Sequence, residues 1–223
     1  MGKEIKISLP FYKIAYSLFF IVILSIVRGI SYTSEIGIAL EAPMAILAAA
    51  VCADTYAQEI ISKRSEIWRL YPMKKRSSTL MKRMLVQEIF LIFLAMAGYG
   101  LFYVFQSPKA RMVEQKIAEK EGMQFLTYLA AMLVTLWFWG ILSNTAACLF
   151  RNMWAGMGGC LILWILTNSS TGEKYLGSWN LFSYTFRKIE DSGNFNWLCG
   201  KAVCICLGVI MMALLPKILE KRG

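Results

Sequence analysis

The chain reads as an all-α integral membrane protein of about six transmembrane helices with both termini in the cytoplasm. Three observations predict this. Of 223 residues, 57% are hydrophobic and only 17% charged. The apolar residues run in blocks of membrane-spanning length, not in short amphipathic periods. The Lys and Arg residues gather between those blocks. A span consumes about 20 residues, so residues 1–223 form a single transmembrane domain with no room for an independent soluble one.

The elements follow in order. Span one is expected over about 11–32, entered at Pro10, whose missing N–H costs nothing in a first helical turn. It follows Lys13 directly and has no small-residue cleavage site behind it, so it reads as a retained helix and not a signal peptide. Span two is expected over about 36–56. Glu41 and Asp54 interrupt it, which predicts a helix facing protein more than lipid. Spans three to six are expected over about 84–105, 124–149, 153–169 and 197–215. Trp154 and Trp197 open the last two, at the depth where amphipathic rings prefer to sit. The outer connections are 106–122 and 170–196. Small residues in the Ala42–Ala50 stretch and at Gly156, Gly158 and Gly159 predict close helix packing.

Charge sets the orientation. With both termini inside, the cytoplasmic side collects Lys3, Lys6, Lys13, the basic run from Lys63 to Arg83, Arg151, Lys217, Lys221 and Arg222. The outer side keeps Arg28, Lys109, Arg111, Lys116, Lys120, Lys174, Arg187, Lys188 and Lys201, with acidic residues interspersed in the two connections. The net charge of +10 is thus a topology signal and does not point to nucleic acid. The six cysteines lie in or beside spans without a CxxC pair, which predicts packing roles and neither disulfides nor metal binding. Arg28 and Lys201, at the outer ends of spans one and six, are expected to snorkel to the interface.

The most informative stretch is the segment 58–83, QEIISKRSEIWRLYPMKKRSSTLMKR. It is too polar to span, yet Ile60, Ile61, Ile67, Trp68 and Tyr71 fall on one apolar stripe, and Glu59 and Lys63 make a favourably ordered i,i+4 pair. It predicts an amphipathic cytoplasmic helix ending before Pro72. A helix of this kind also suits the membrane surface, with its apolar face in lipid and its cations at anionic headgroups.

The layout of six spans, inner termini and an amphipathic helix after span two resembles the permease subunits of type-2 ABC exporters, the bacterial drug, bacteriocin and lantibiotic-immunity group. Glu59, then Ile60 to Leu70, then Tyr71-Pro72 and Lys74-Lys75-Arg76 are similar to that family's acidic residue, polar helix, aromatic- or leucine-proline and basic residue. The resemblance implies a coupling helix that meets a soluble ATPase through Glu59, Ile60, Lys63, Arg64, Glu66, Ile67, Trp68, Arg69 and Tyr71. It implies a second permease, identical or related, two ABC ATPase subunits that bind ATP and Mg, and location in the bacterial cytoplasmic membrane. It also implies that Gly172 to Asn196 dips into the membrane, with Trp179, Leu181, Phe182, Tyr184 and Phe186 as its apolar face. The polar span two and the hydrophilic stretch 108–122 depart from the pattern.

Chemistry of the chain's own is not expected. There is no G-x-x-x-x-G-K-[ST] run, so a nucleotide site must come from a partner. Histidine is absent, which excludes His-dependent intramembrane proteases, and no cofactor, metal or catalytic residue is expected. The polar candidates within spans are Asp54, Glu88 and Asn144. Glu88 is expected to pair with Lys82, Arg83 or a neighbouring basic residue, with proton relay as its alternative; Asp54 is expected near the coupling helix. Two other functions stay open: a substrate-binding membrane module similar to the S components of vitamin importers, and a non-transporting immunity or assembly factor that binds a toxic peptide by contact.

Overall fold

The computed structural model describes residues 2–55, 72–109, 112–113, 116–117, 121–187 and 195–222. The fold is helical: α1 Gly2–Ser8, α2 Phe11–Val27, α3 Glu35–Cys52, α4 Met73–Gln106, α5 Glu121–Phe150, α6 Met153–Asn168, α7 Ser170–Leu176 and α8 Trp197–Arg222. A two-residue antiparallel pair, Met112–Val113 with Lys116–Ile117, lies between α4 and α5. Four helices, α3, α4, α5 and α8, are long and apolar enough to cross a membrane. The other two expected spans correspond to shorter apolar helices, α2 and α6, of 17 and 16 residues. At 1.5 Å per residue these reach about 25 Å, a little under a typical hydrocarbon core.

The core is built around α3. Of its membrane-length stretch 72% is buried, against 33% in α4, 50% in α5 and 22% in α8. It packs chiefly on α5 and also on α4 and α6, while α5 receives α6 and α8 on its other faces. Its composition explains the place. Alanines at 39, 42, 45, 48 and 49 are buried and keep the helix thin, which lets neighbouring backbones approach where lipid offers no hydrophobic drive. Pro43 sits inside α3 and removes one backbone donor. Beside it the Trp164 indole of α6 donates to the Ala42 carbonyl at 2.8 Å.

Two boundaries differ from expectation. The first span was read to 32, but α2 ends at Val27 and residues 28–34 turn toward α3. Gln106 at the end of α4 fixes that turn: its amide nitrogen donates to the carbonyls of Ser25 and Arg28, both at 2.7 Å, and its oxygen accepts from the Ile30 N–H at 2.8 Å. Thr33 and Lys109 then exchange backbone bonds with the strip beside them. The second difference lies in the segment 58–83, read as a cytoplasmic segment whose helix ends before Pro72, with span three starting only near 84. Its last part is helix, because α4 starts directly after Pro72, and Lys, Arg and Met sustain helix well. With 34 residues α4 is about 50 Å long and must project well past a hydrocarbon core.

The connection after α6 begins on the surface and then turns inward. α7 is capped by the Ser169 hydroxyl, which accepts from the Gly172 N–H at 3.0 Å. After a 3-10 turn at Gly177–Trp179 the chain folds into the bundle, and Asn180, Leu181, Phe182, Ser183 and Tyr184 are buried. Phe182 stacks on Trp139 of α5 with ring centres 5.5 Å apart. Two glycines admit this segment. A Cβ at Gly37 would stand 2.5 Å from the Tyr184 hydroxyl, and one at Gly200 would stand 2.0 Å from the Asn180 carbonyl oxygen. Trp179, at the end of the 3-10 turn, is exposed.

Candidate functional site

Charged side chains inside the bundle are the candidates for a site, since a charge in a membrane-spanning helix is costly unless it is paired. Two acids take part, Glu41 within the N-terminal half of α3 and Asp54 just past its C-terminal end. Glu41 and Asp54 are 13 positions apart, about 20 Å along a helical axis.

Near the N-terminal end of α3, Glu41 forms an ion pair with Lys201 of α8, and both side chains are at most 3% exposed. The shell around the pair is complete. Lys201 also donates to the Thr135 hydroxyl of α5 at 2.7 Å and to the Leu181 carbonyl at 3.1 Å, which uses all three ammonium protons. Glu41 further accepts from the Thr135 and Thr185 hydroxyls. The inward segment therefore contributes a backbone carbonyl and a hydroxyl to a buried charge cluster that joins α3, α5 and α8. Lys201 was expected to snorkel outward. It does not: a fixed counter-ion and two further acceptors lie nearer than the interface.

Near the other end, Lys13 of α2 pairs with Asp54, just beyond α3. Lys13 is 1% exposed and donates to the Val51 carbonyl at 2.8 Å and to the Ser8 carbonyl at 3.5 Å. Tyr12 donates to the second Asp54 oxygen at 3.4 Å. Gln87 of α4 completes the cluster: its amide nitrogen donates to Ser8 and Val51 carbonyls at 3.1 and 3.3 Å, and its oxygen accepts from Thr55 at 2.8 Å. Lys13 thus holds the Val51 carbonyl at the C-terminal end of α3, where a cation is favoured.

Glu88 corrects the sequence reading. Instead of an ion pair with Lys82 or Arg83, its carboxyl lines a half-open cleft between α4, α5 and α8, and its Oε1 is buried with no hydrogen-bond partner among the described residues. On α4, Lys82 lies at the cleft as an exposed side chain six residues toward the N-terminus, too far along the axis for an i,i+4 contact. Asn144 is fully buried on α5; its amide nitrogen meets the Met84 sulfur at 3.3 Å, and its oxygen has no partner among the described residues. The coupling residues Glu59, Ile60, Lys63, Arg64, Glu66, Ile67, Trp68, Arg69 and Tyr71 lie outside the described residues.

Sequence reasoning did not find the Glu41–Lys201 or Lys13–Asp54 clusters as units, nor Gln87 and Thr135. A signal existed: an acid in the apolar stretch of one helix and a base in that of another call for each other. Among the described residues no group of three or more His, Cys, Asp or Glu side chains is placed to hold a metal ion.

No protein-family model, curated protein or solved structure matches this chain. What the geometry can do is mechanical: a helical membrane domain whose central helix is clamped near both ends by buried ion pairs.

Proposed function

We propose that this chain is the transmembrane permease subunit of an ATP-driven exporter of the type-2 ABC kind, working in the bacterial cytoplasmic membrane on a peptide, drug-like or lipid-like cargo. The observation that carries the reading is the connection after α6, folded into the bundle and tied to the Glu41–Lys201 pair. An inward-dipping connection before the last helix is what the resemblance leads one to expect, and a chain-neutral loop would have stayed on the surface.

The remaining support is arrangement. In the six-span reading, α2, α3, α4, α5, α6 and α8 alternate in direction. The segment 56–71, which joins the Asp54 end of α3 to the start of α4, then shares the cytoplasmic side with α1, the Lys13 end of α2 and the C-terminal end of α8. ATP-driven approach of two ATPase subunits draws two such segments together and moves α3 and α4, the helices attached to them. A second copy or related permease completes the transport path. The ATPases hold ATP and Mg; this chain supplies cavity and coupling surface.

The test is copurification in gentle detergent with the neighbouring genes coexpressed. A stoichiometric ATPase subunit, whose hydrolysis the membrane chain alters, is the expected result; a chain that never retains an ATPase refutes the reading. Charge reversal at Glu59, Arg64, Glu66 and Arg69 uncouples hydrolysis from transport while insertion stays intact. Unchanged coupling in these variants removes the segment from the mechanism.

A further inference from the structure

The cleft beside Glu88 has features that none of the clusters above explains. Its volume is about 340 Å³, and its wall is almost wholly apolar: Met84 and Leu85 of α4, Trp137 and Ile141 of α5 and Met212 of α8. Two charged groups of α4 belong to it. Glu88 sits in the wall with one carboxyl oxygen covered and without a donor among the described residues. Lys82 is exposed and lies about 9 Å away along the helix axis, toward the end where α4 projects from the membrane. The thiol of Cys52 is the remaining titratable group of the lining.

A carboxylate in an apolar wall needs a counter-ion or a proton. The two other buried acids described above have a lysine as partner; Glu88 has none among the described residues. The wall around it is suited to the rest of such a ligand. Trp137 offers the aromatic face that attracts cations best, and methionines conform to irregular apolar shapes.

We propose that the cleft between α4, α5 and α8 binds a monovalent lipophilic cation, with Glu88 as its counter-ion and Trp137, Met84 and Met212 as its apolar wall. A cation with delocalised charge fits best, because a compact ammonium would lose its hydration without donors and acceptors to replace it. Exposed Lys82 sets the polarity of the approach: its charge is screened by water at the mouth, while the attraction of Glu88 is exerted inside the apolar wall, where screening is weak. That such a cation is cargo rests on the permease reading; that it binds does not.

The experiment uses the full chain in nanodiscs of phosphatidylcholine with no ATPase present, so its outcome is separate from that of copurification. Equilibrium dialysis measures tetraphenylphosphonium against empty nanodiscs. Saturable one-site binding is expected, weakened about ten-fold or more by Glu88→Gln, largely kept by Glu88→Asp, and unchanged or tightened by Lys82→Met. The neutral analogue triphenylphosphine oxide competes poorly. In the wild-type chain, tetraphenylphosphonium protects Glu88 from a hydrophobic carbodiimide, read by mass spectrometry, a measurement that needs no variant. Equal binding by Glu88→Gln, equal competition by the neutral analogue, or absence of protection each overturns the assignment.

Discussion

Removing the cation of the Glu41–Lys201 pair is the most direct probe of the bundle's construction. Lys201→Met keeps the length of the side chain and strips its charge. Glu41, 1% exposed, is left with the Thr135 and Thr185 hydroxyls, and the Leu181 carbonyl keeps only the weak Cys204 thiol as donor. Breaking one partner of a buried pair costs about 3–5 kcal/mol, because the surviving charge stays desolvated. For a chain of this size each kcal/mol lowers Tm by about 2–4 °C, so a fall of roughly 6 °C or more is expected in detergent, read by Trp fluorescence or by loss of the monodisperse peak on size exclusion. Glu41→Gln costs less, since the amide oxygen still accepts from Lys201 and Thr135, while the new NH2 donates to the Thr185 hydroxyl oxygen in place of accepting from it. The double variant Glu41→Leu with Lys201→Met removes both charges, and replacement of a buried pair by apolar groups is often neutral or stabilising. The double variant is therefore more stable than Lys201→Met alone, with a coupling energy of about 1–3 kcal/mol in the cycle. Additive effects, or a Lys201→Met variant within 1 °C of wild type, would falsify the claim that the two charges are a mutually dependent buried pair.

Two further outcomes follow from contacts described above. Gly200→Ala places a methyl group where the Asn180 carbonyl and the Ser183 side chain already stand; the inward segment must shift, costing about 1–3 kcal/mol as overpacking does, with faster proteolysis of the 177–195 connection as the readout. Gln106→Ala removes three hydrogen bonds to the turn after α2. Amide exchange at Ile30 then accelerates relative to the interior of α3, whereas equal protection in both proteins contradicts a fixing role for Gln106.

Much of the fold was legible because lipid leaves the backbone few choices. The apolar runs located α3, α5, α6 and α8 to within a few residues at their starts, whereas α4 starts at Met73 and not near the expected 84. What escaped was of two kinds. Helix ends beyond the hydrocarbon are one: the early stop of α2 depends on a distant residue, since Gln106 acts on the Ser25–Ile30 turn across more than seventy positions, and the early start of α4 rests on the helix propensity of a polar run that hydropathy does not register. Pair identities are the other. Glu41 was visible as an anomaly in its helix and Lys201 in another, but hydropathy has no term that joins them, and the positive-inside count assigned Lys201 and Lys13 to loops' work. The segment expected to couple shows the reverse situation: its pattern was the clearest signal in the sequence, and its residues 59–71 lie outside those the structure describes.

The separation of the two ion pairs along the chain has a consequence for synthesis. Lys13 and Asp54 are 41 residues apart, so at about 5–20 residues per second both exist within a few seconds of each other. Glu41 must wait for a lysine 160 positions later, roughly 10–30 s at the same pace. Throughout that interval the helix destined for the centre carries an unneutralised acid, and the last helix made is the one that neutralises it. Commitment of α3 to the interior is thereby tied to completion of α8, so that a stalled or truncated nascent chain exposes its defect as an orphan carboxylate for quality control to find.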